Sequence, residues 1–163
     1  MSITVLGAGA FGTSLAIALA RKTPVTLWAR NAEQASQMQA ERVNTRRLPN
    51  ARFPDDLTVI SDLEAATANT TILVAVPMQL LGDFLDENAS LLAGKTLVAC
   101  CKGIDRASGL GPVDLIAAKV PSAQAAVLTG PSFAADIAKG LPTALSLACA
   151  DEATCITLQS ELS

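Results

Sequence analysis

Three glycines in the first dozen residues constrain the fold of this chain more than any other feature. Gly7, Gly9 and Gly12 form a GxGxxG pattern between the apolar run Ile3–Leu6 and the alanine- and leucine-rich stretch 13–20. A strand that turns through such glycines into a helix is typical of folds that bind dinucleotides. Gly7 would make the tight turn, Gly9 would let the backbone approach a pyrophosphate, and Gly12 would allow close helix–strand packing. The alternative is a flexible turn between two buried elements.

The composition favours an α/β core and excludes several kinds of catalysis. Half of the 163 residues are hydrophobic but only 3% are aromatic, so small aliphatic side chains must fill the core. Such residues suit thin layers of helix on a parallel sheet. The chain has no His and no Tyr, which excludes within it a Ser-His-Asp site, a His-ligated zinc and a Tyr/Lys reductase pair.

Charge and hydropathy bear on partners and location. The net charge of −3 gives no indication of a nucleic-acid partner. We find no apolar run that could span a membrane, and the start of the chain leaves no room for a signal peptide before the first predicted strand. Cys100, Cys101, Cys149 and Cys155 lack CxxC spacing and are interpreted mainly as small buried hydrophobic residues. We therefore expect a cytoplasmic protein.

Short β-rich runs alternate with helical stretches along the chain. Strands are predicted at 3–6, 25–28, 58–60, 71–75, 96–99, 125–128 and 144–147, and helices at 12–21, 32–43, 78–85, 113–119, 133–139 and 152–162. The alternation predicts a single α/β domain with a doubly wound, mostly parallel sheet of Rossmann type. The last predicted helix has no closing glycine and no element after it. We therefore expect residues 1–163 to be a nucleotide-binding domain truncated inside or just after that helix.

Residues that follow the predicted strands are candidate ligands, because open α/β sheets bind at the carboxyl ends of their strands. Arg30 stands where an NAD-selective site would place Asp or Glu. Its guanidinium could hold the 2′-phosphate of NADP or stack on adenine, unless it is a solvated arginine at a helix start. Pro77 is predicted as the first residue of a helix near the nicotinamide end of the cofactor, or only as a helix opener.

Two later strand ends offer ligands for a phosphate. Lys102, followed by Gly103, could reach the crevice as a point charge for a phosphate or a developing oxyanion, or could belong to a solvated loop. Ser132 is predicted as the N-cap of a helix whose amides would face an anion. The alternative for Ser132 is that it caps its helix and does nothing more.

Six segments occur together in a recognisable order: GAGAFGT (7–13), LWAR (27–30), Asn44 with Leu48-Pro49, CKG (101–103), GPSFA (130–134) and GLPTALSLA (140–148). Together they resemble the N-terminal domain of bacterial-type NAD(P)-dependent glycerol-3-phosphate dehydrogenases over essentially the whole chain. The pair GPSFA and GLPTA is the most specific part. The resemblance implies hydride transfer between NAD(P)H and dihydroxyacetone phosphate, giving sn-glycerol 3-phosphate for phospholipid synthesis.

The resemblance also assigns residues. With the glycine pattern, the cofactor ligands are Gly7, Gly9, Ala10, Phe11, Gly12, Arg30, Lys102 and Ala134, and the substrate ligands are Lys102, Gly130 and Ser132. No catalytic residue or metal ligand is assigned, because the family's proton-transferring lysine lies in a helical C-terminal domain. We therefore expect this chain to bind NADP or NAD without turnover, and the full-length protein to be able to form a homodimer.

The chain departs from the family at several positions. Arg47 stands where the family often has an aromatic residue, Cys101 replaces the usual Thr or Ser before the lysine, and the turn 22–24 is short. Two other functions stay open: a 3-hydroxyacid or 6-phosphogluconate-type dehydrogenase, against which GPSFA argues, and a nucleotide-sensing module without catalysis.

Overall fold

Nine strands and seven helices lie along residues 2–163, the part of the chain that the computed structural model describes. The strands are β1 (Ile3–Leu6), β2 (Val25–Trp28), β3 (Val43–Asn44), β4 (Leu48–Arg52), β5 (Leu57–Ile60), β6 (Thr71–Val74), β7 (Thr96–Ala99), β8 (Gln124–Thr129) and β9 (Ser146–Cys149). The helices are α1 (Ala10–Leu19), α2 (Ala32–Glu41), α3 (Leu63–Ala66), α4 (Met78–Leu92), α5 (Pro112–Lys119), α6 (Ala134–Lys139) and α7 (Glu152–Leu162).

Seven of these strands form one sheet in the order β5-β2-β1-β6-β7-β8-β9. Every neighbouring pair is parallel except β8 and β9, which confirms the predicted doubly wound, mostly parallel sheet. The strand order reverses between β1 and β6. A crevice at the carboxyl ends of the strands is expected at such a switch point, and the glycine turn lies there.

The apolar strands lie at the centre of the sheet, with helices on both faces. All four residues of β1 and all four of β6 are buried. Adjacent residues of β6 face opposite sides, because Leu73 belongs to one buried cluster while Ile72 and Val74 belong to the other. This two-sided burial explains why these strands are apolar throughout rather than alternating. No helix within residues 2–163 combines the length and apolarity needed to cross a membrane.

The structure corrects the region after α2. The helix predicted at 32–43 ends at Glu41, since Arg42 adopts a left-handed backbone with φ 56°. Val43 then begins the antiparallel hairpin β3–β4, which the sequence analysis missed. β4 is polar, contains Pro49 and is largely exposed, so it lacks the apolar pattern by which a strand is predicted.

Other boundaries also move. The strand predicted at 144–147 lies at Ser146–Cys149, two residues later. The helix predicted at 78–85 continues to Leu92 through a non-helical Asn88, and the short helix α3 was missed. Helix α1 begins at Ala10 rather than at residue 12, so the last glycine of the pattern lies inside the helix.

Candidate functional site

The glycine turn between β1 and α1 is closely packed on one side and open on the other. A Cβ at Gly7, where φ is +116°, would lie 2.6 Å from the carbonyl oxygen of Ala75. A Cβ at Gly12 would overlap the carbonyl oxygen of Gly7. These contacts confirm the tight turn and the close packing predicted for Gly7 and Gly12. A Cβ at Gly9 would meet no atom within 4 Å, so open space lies above that residue.

The first turn of α1 presents unpaired amides to that open space. Gly9 is the N-cap residue, and no side chain caps the helix. The first helical hydrogen bond runs from the Thr13 N–H to the Gly9 carbonyl, at 2.9 Å. Within residues 2–163 no backbone acceptor pairs with the amides of Gly9, Ala10 or Phe11. Free amides at the positive end of a helix form a binding site for an anion.

Asn44 joins the hairpin β3–β4 to this turn. Its Nδ2 donates to the carbonyl oxygen of Ala8 at 3.0 Å and to Oγ1 of Thr13 at 2.9 Å. Its Oδ1 accepts from the backbone N–H of Arg47 at 3.2 Å. Asn44 is only 1% exposed. In the sequence, Asn44 stood out only as part of the family resemblance. No local pattern could indicate its contact with Ala8, which lies 36 residues earlier in the chain.

Arg30 lies beyond the end of β2, on the side of the glycine turn away from β6. Its side chain is exposed, and no carboxylate of residues 2–163 forms an ion pair with it. The next residue, Asn31, caps α2 by accepting from the N–H of Gln34 at 2.7 Å. Arg30 therefore offers a free guanidinium beside the turn, as its position in the sequence predicted.

Residues after β6 and β7 line the other side of the switch point. Pro77 is the N-cap of α4 rather than its first residue, because its ψ of 140° is extended and the helix begins at Met78. Cys100 is buried at the end of β7, and burial raises the pKa of its thiol to about 12. The Cys101 thiol lies 3.7 Å from the sulfur of Met78, and burial also raises its pKa. Cys100 is therefore the small buried residue that the sequence predicted, whereas Cys101, Cys149 and Cys155 are only partly buried. Neither Cys100 nor Cys101 is an activated nucleophile.

Lys102 and Gly130, which were predicted as ligands at the ends of two different strands, lie in contact with each other. Lys102 Nζ donates to the carbonyl oxygen of Gly130 at 3.2 Å. Gly130 has φ +151°, and a Cβ there would lie 3.1 Å from the carbonyl oxygen of Ala144. The position therefore requires glycine both for its backbone conformation and for the close approach of the neighbouring chain.

Ser132 does not have the local role that the sequence predicted. The N-cap of α6 is Phe133, and no side chain caps that helix, so the prediction of Ser132 as the N-cap is wrong. The helix begins later than predicted because Phe133 is still extended, with φ −106° and ψ 133°. The Ser132 Oγ is shielded from solvent and has no hydrogen-bond partner within residues 2–163. An unpaired buried hydroxyl is unfavourable, and an arriving ligand could pair with it.

These parts follow the order of the strands along one edge of the sheet. Arg30 follows β2, the free amides follow β1, Lys102 follows β7, and Gly130 with Ser132 follows β8. Ala134, half-buried, begins α6 beyond Ser132. The edge therefore offers anion-binding groups at its middle and at both sides, which fits an elongated molecule with a central diphosphate and a second, phosphate-bearing molecule beside it.

Comparisons with known proteins agree with this geometry. A family model described as NAD-dependent glycerol-3-phosphate dehydrogenase N-terminus matches residues 2–155. A glycerol-3-phosphate dehydrogenase (NAD(P)+) of Ruegeria sp. is 59% identical over 163 residues, which cover 100% of this chain and 51% of that protein. The chain therefore spans about half the length of the curated relatives it matches.

Solved structures show the same fold. The glycerol-3-phosphate dehydrogenase from Coxiella burnetii superimposes with a TM-score of 0.92 at 36% identity, covering 99% of this chain and 50% of that one. A glycerol-3-phosphate dehydrogenase from Plasmodium falciparum superimposes with a TM-score of 0.90 at 17% identity, covering 100% of this chain and 50% of that one. The second similarity bears on the fold alone.

Proposed function

The chain belongs to the family of NAD-dependent glycerol-3-phosphate dehydrogenase N-terminal domains, and from that premise we propose that it binds NADP or NAD at the carboxyl edge of its sheet. The whole protein would interconvert dihydroxyacetone phosphate and sn-glycerol 3-phosphate, a precursor of phospholipids. Residues 1–163 would be the cofactor-binding part of that protein. The whole protein would also lie in the cytoplasm and would assemble into a homodimer.

The free amides at the start of α1 carry the cofactor part of the proposal. Gly9 leaves room for a pyrophosphate directly against the backbone, and no side chain of residues 2–163 competes as a cap. Gly7 and Gly12 shape the turn, and Ala10 and Phe11 follow in the first turn of the helix, where they would contact the cofactor. Arg30 would hold the adenosine end, where its two parallel N–H donors match a 2′-phosphate.

The unpaired Ser132 hydroxyl supports the substrate part. A phosphate oxygen at Ser132 and Gly130 would accept the hydrogen bond that the protein itself does not satisfy. The Lys102 ammonium would neutralise the phosphate and stabilise charge on the oxygen of the reacting carbonyl, and it would also contact the cofactor. Ala134 would contact the cofactor from the start of α6.

The bound cofactor supplies the hydride, and residues 1–163 position it against the substrate. No group in this chain is assigned as the donor of the proton that the carbonyl oxygen needs. In this proposal the chain therefore binds and orients, and proton transfer belongs to another part of the protein.

A binding experiment tests the cofactor assignment. The purified chain is titrated with NADPH and with NADH, and the nicotinamide fluorescence reports binding. We expect Arg30→Ala to weaken NADPH binding more than NADH binding, by about 1–3 kcal/mol, because a charged contact to the 2′-phosphate is lost. Lys95→Ala is the matched control, since Lys95 directly precedes β7 at the opposite edge of the sheet.

Two results would contradict the proposal. Failure of the unaltered chain to bind either nucleotide would reject the cofactor site as a whole. Equal losses for NADPH and NADH in Arg30→Ala would mean that Arg30 does not contact the 2′-phosphate, while leaving the glycine turn as the site.

A further inference from the structure

We propose that Asn44 is a positioning residue, which holds the glycine turn in the conformation that receives the dinucleotide pyrophosphate. The inference rests on the proposed function for the identity of the ligand. It goes beyond that function because it assigns a role to the hairpin β3–β4, which does not follow any strand of the main sheet and which the proposed site does not use.

The three partners of Asn44 require an amide side chain at this position. The Ala8 carbonyl can only accept, so it must face the side-chain NH₂ of Asn44. The Arg47 N–H can only donate, and the backbone carbonyl and the side-chain oxygen of Asn44 share it, each at 3.2 Å, so the side-chain oxygen fits this side of the residue. The second NH₂ hydrogen bonds to Thr13 Oγ1, and residue 44 is almost completely shielded from water. An aspartate of the same shape has no donor for Ala8 and would bring a buried negative charge.

The bond to Ala8 fixes the direction of the Gly9 amide. A trans peptide is planar, and its C=O and N–H point in opposite directions. Because Asn44 holds the Ala8 carbonyl, the N–H of the same peptide unit, which is that of Gly9, points away from the hairpin. That N–H has no backbone acceptor within residues 2–163, and the space around Gly9 is open. Asn44 therefore keeps an unpaired donor available to an anion.

The bond to Thr13 fixes the start of the helix at the same time. Thr13 makes the first hydrogen bond of α1, from its N–H to the Gly9 carbonyl. By holding Ala8 and Thr13 together, one buried side chain spans the whole anion-binding turn. Preorganised donors bind more tightly because less conformational freedom is lost on binding.

The test compares two asparagines with similar bonds at opposite edges of the sheet. Asn69 is the matched control, because its Nδ2 donates to Thr4 Oγ1 at 3.0 Å and its Oδ1 accepts from Ser2. The variants Asn44→Asp and Asn69→Asp are titrated with NADPH, and their melting temperatures are measured. We expect the Kd for NADPH to rise at least tenfold in Asn44→Asp and less than twofold in Asn69→Asp at a comparable loss of melting temperature.

A second measurement makes the inference independent of nucleotide binding. Hydrogen exchange of the Thr13 and Ser14 amides, at the first turn of α1, should accelerate at least tenfold in Asn44→Ser and stay unchanged in Asn69→Ser. The serine variants also replace the aspartate variants if those do not fold.

Four outcomes are decisive. An NADPH Kd for the Asn44 variant within twofold of the unaltered chain, or an equal loss in both variants, would overturn the inference. Unchanged exchange of Thr13 and Ser14 would overturn it as well. If the unaltered chain binds no nucleotide, the proposed function fails, and the exchange measurement still decides whether Asn44 orders the turn.

Discussion

The two ends of the candidate site differ in how far the protein satisfies its own polar groups. At the glycine turn, the buried Thr13, Ser14 and Asn44 all have hydrogen-bond partners, while the amides of Gly9, Ala10 and Phe11 have no backbone acceptor among residues 2–163. At the other end, the shielded Ser132 hydroxyl has no hydrogen-bond partner in the described part of the chain, and the neighbouring Phe133 is 78% exposed. The glycine turn, proposed as the cofactor end, is therefore shaped before a ligand arrives, whereas the region of Gly130 and Ser132, proposed as the substrate end, leaves one hydroxyl that a ligand would pair.

The largest effect is expected from adding one methyl group at the tightest point of the cofactor end. In Gly12→Ala the new Cβ would overlap the Gly7 carbonyl and lie 3.0 Å from the Cβ of Ala75. Because backbone atoms must move, we expect the free energy of unfolding to fall by about 3 kcal/mol. Urea unfolding followed by circular dichroism measures the loss.

Gly9→Ala is the matched control for this prediction. It adds the same methyl group at the residue directly before α1, but into open space and at a φ of −72°. We expect nearly unchanged stability and a Kd for NADPH that is at least tenfold higher, since the methyl group would occupy the position of the pyrophosphate. Equal destabilisation by both variants would refute the view that only one side of the turn is packed.

The second-largest effect tests whether water is excluded from the end of β7, where Cys100 lies. Burial raises the pKa of the Cys100 thiol from 9.0 to about 12. Between these pH values the unfolded chain has lost the thiol proton and the folded chain keeps it. The free energy of unfolding is therefore unaffected by this thiol below pH 9 and falls as the pH rises above it. We expect a slope of up to about 1.4 kcal/mol per pH unit.

Comparison with Cys100→Ala isolates this contribution, because all other groups titrate in both proteins. The difference in unfolding free energy between the two proteins, measured from pH 8 to pH 11, should shrink as the pH increases. A constant difference would show that water reaches the end of β7.

The smallest effect on stability is expected from replacing a serine by alanine at each end of the site. Ser14 Oγ is buried and donates to the Phe11 carbonyl at 2.8 Å, so Ser14→Ala should reduce stability by about 1 kcal/mol. Ser132→Ala removes a shielded hydroxyl that no group of residues 2–163 pairs with, so it should leave stability unchanged or raise it by up to about 1 kcal/mol. Thermal unfolding of both variants measures the difference. A destabilised Ser132→Ala would mean that the substrate end is as complete as the cofactor end.

The same contrast explains how far the sequence predicted the structure. The glycine turn was predictable because the constraints on Gly7 and Gly12 follow from a strand, a turn and a helix that are adjacent in the chain. The proximity of Lys102 and Gly130 was predictable in outline, since parallel strands end at one edge. The prediction that Ser132 caps α6 was wrong because Phe133 is still extended, so the helix begins two residues after Ser132.

The hairpin and its asparagine were beyond reach of the sequence patterns. β4 reads Leu-Pro-Asn-Ala-Arg, with a proline and only one buried residue, Leu48, so neither an alternating nor an apolar run marks it. The role of Asn44 depends on contacts 31 and 36 residues away, to Thr13 and Ala8. Only the folded chain brings these residues together.

The position of β1 between β2 and β6 also sets an order for folding during synthesis. Ile3 pairs with Thr71, and Gly7 packs against Ala75, so β1 and the glycine turn contact residues that are made more than sixty positions later. At about 5–20 residues per second, that interval lasts several seconds. During it an apolar strand and an incomplete turn lack the strand that covers them, so the segment proposed to bind the nucleotide also needs protection from aggregation in the nascent chain.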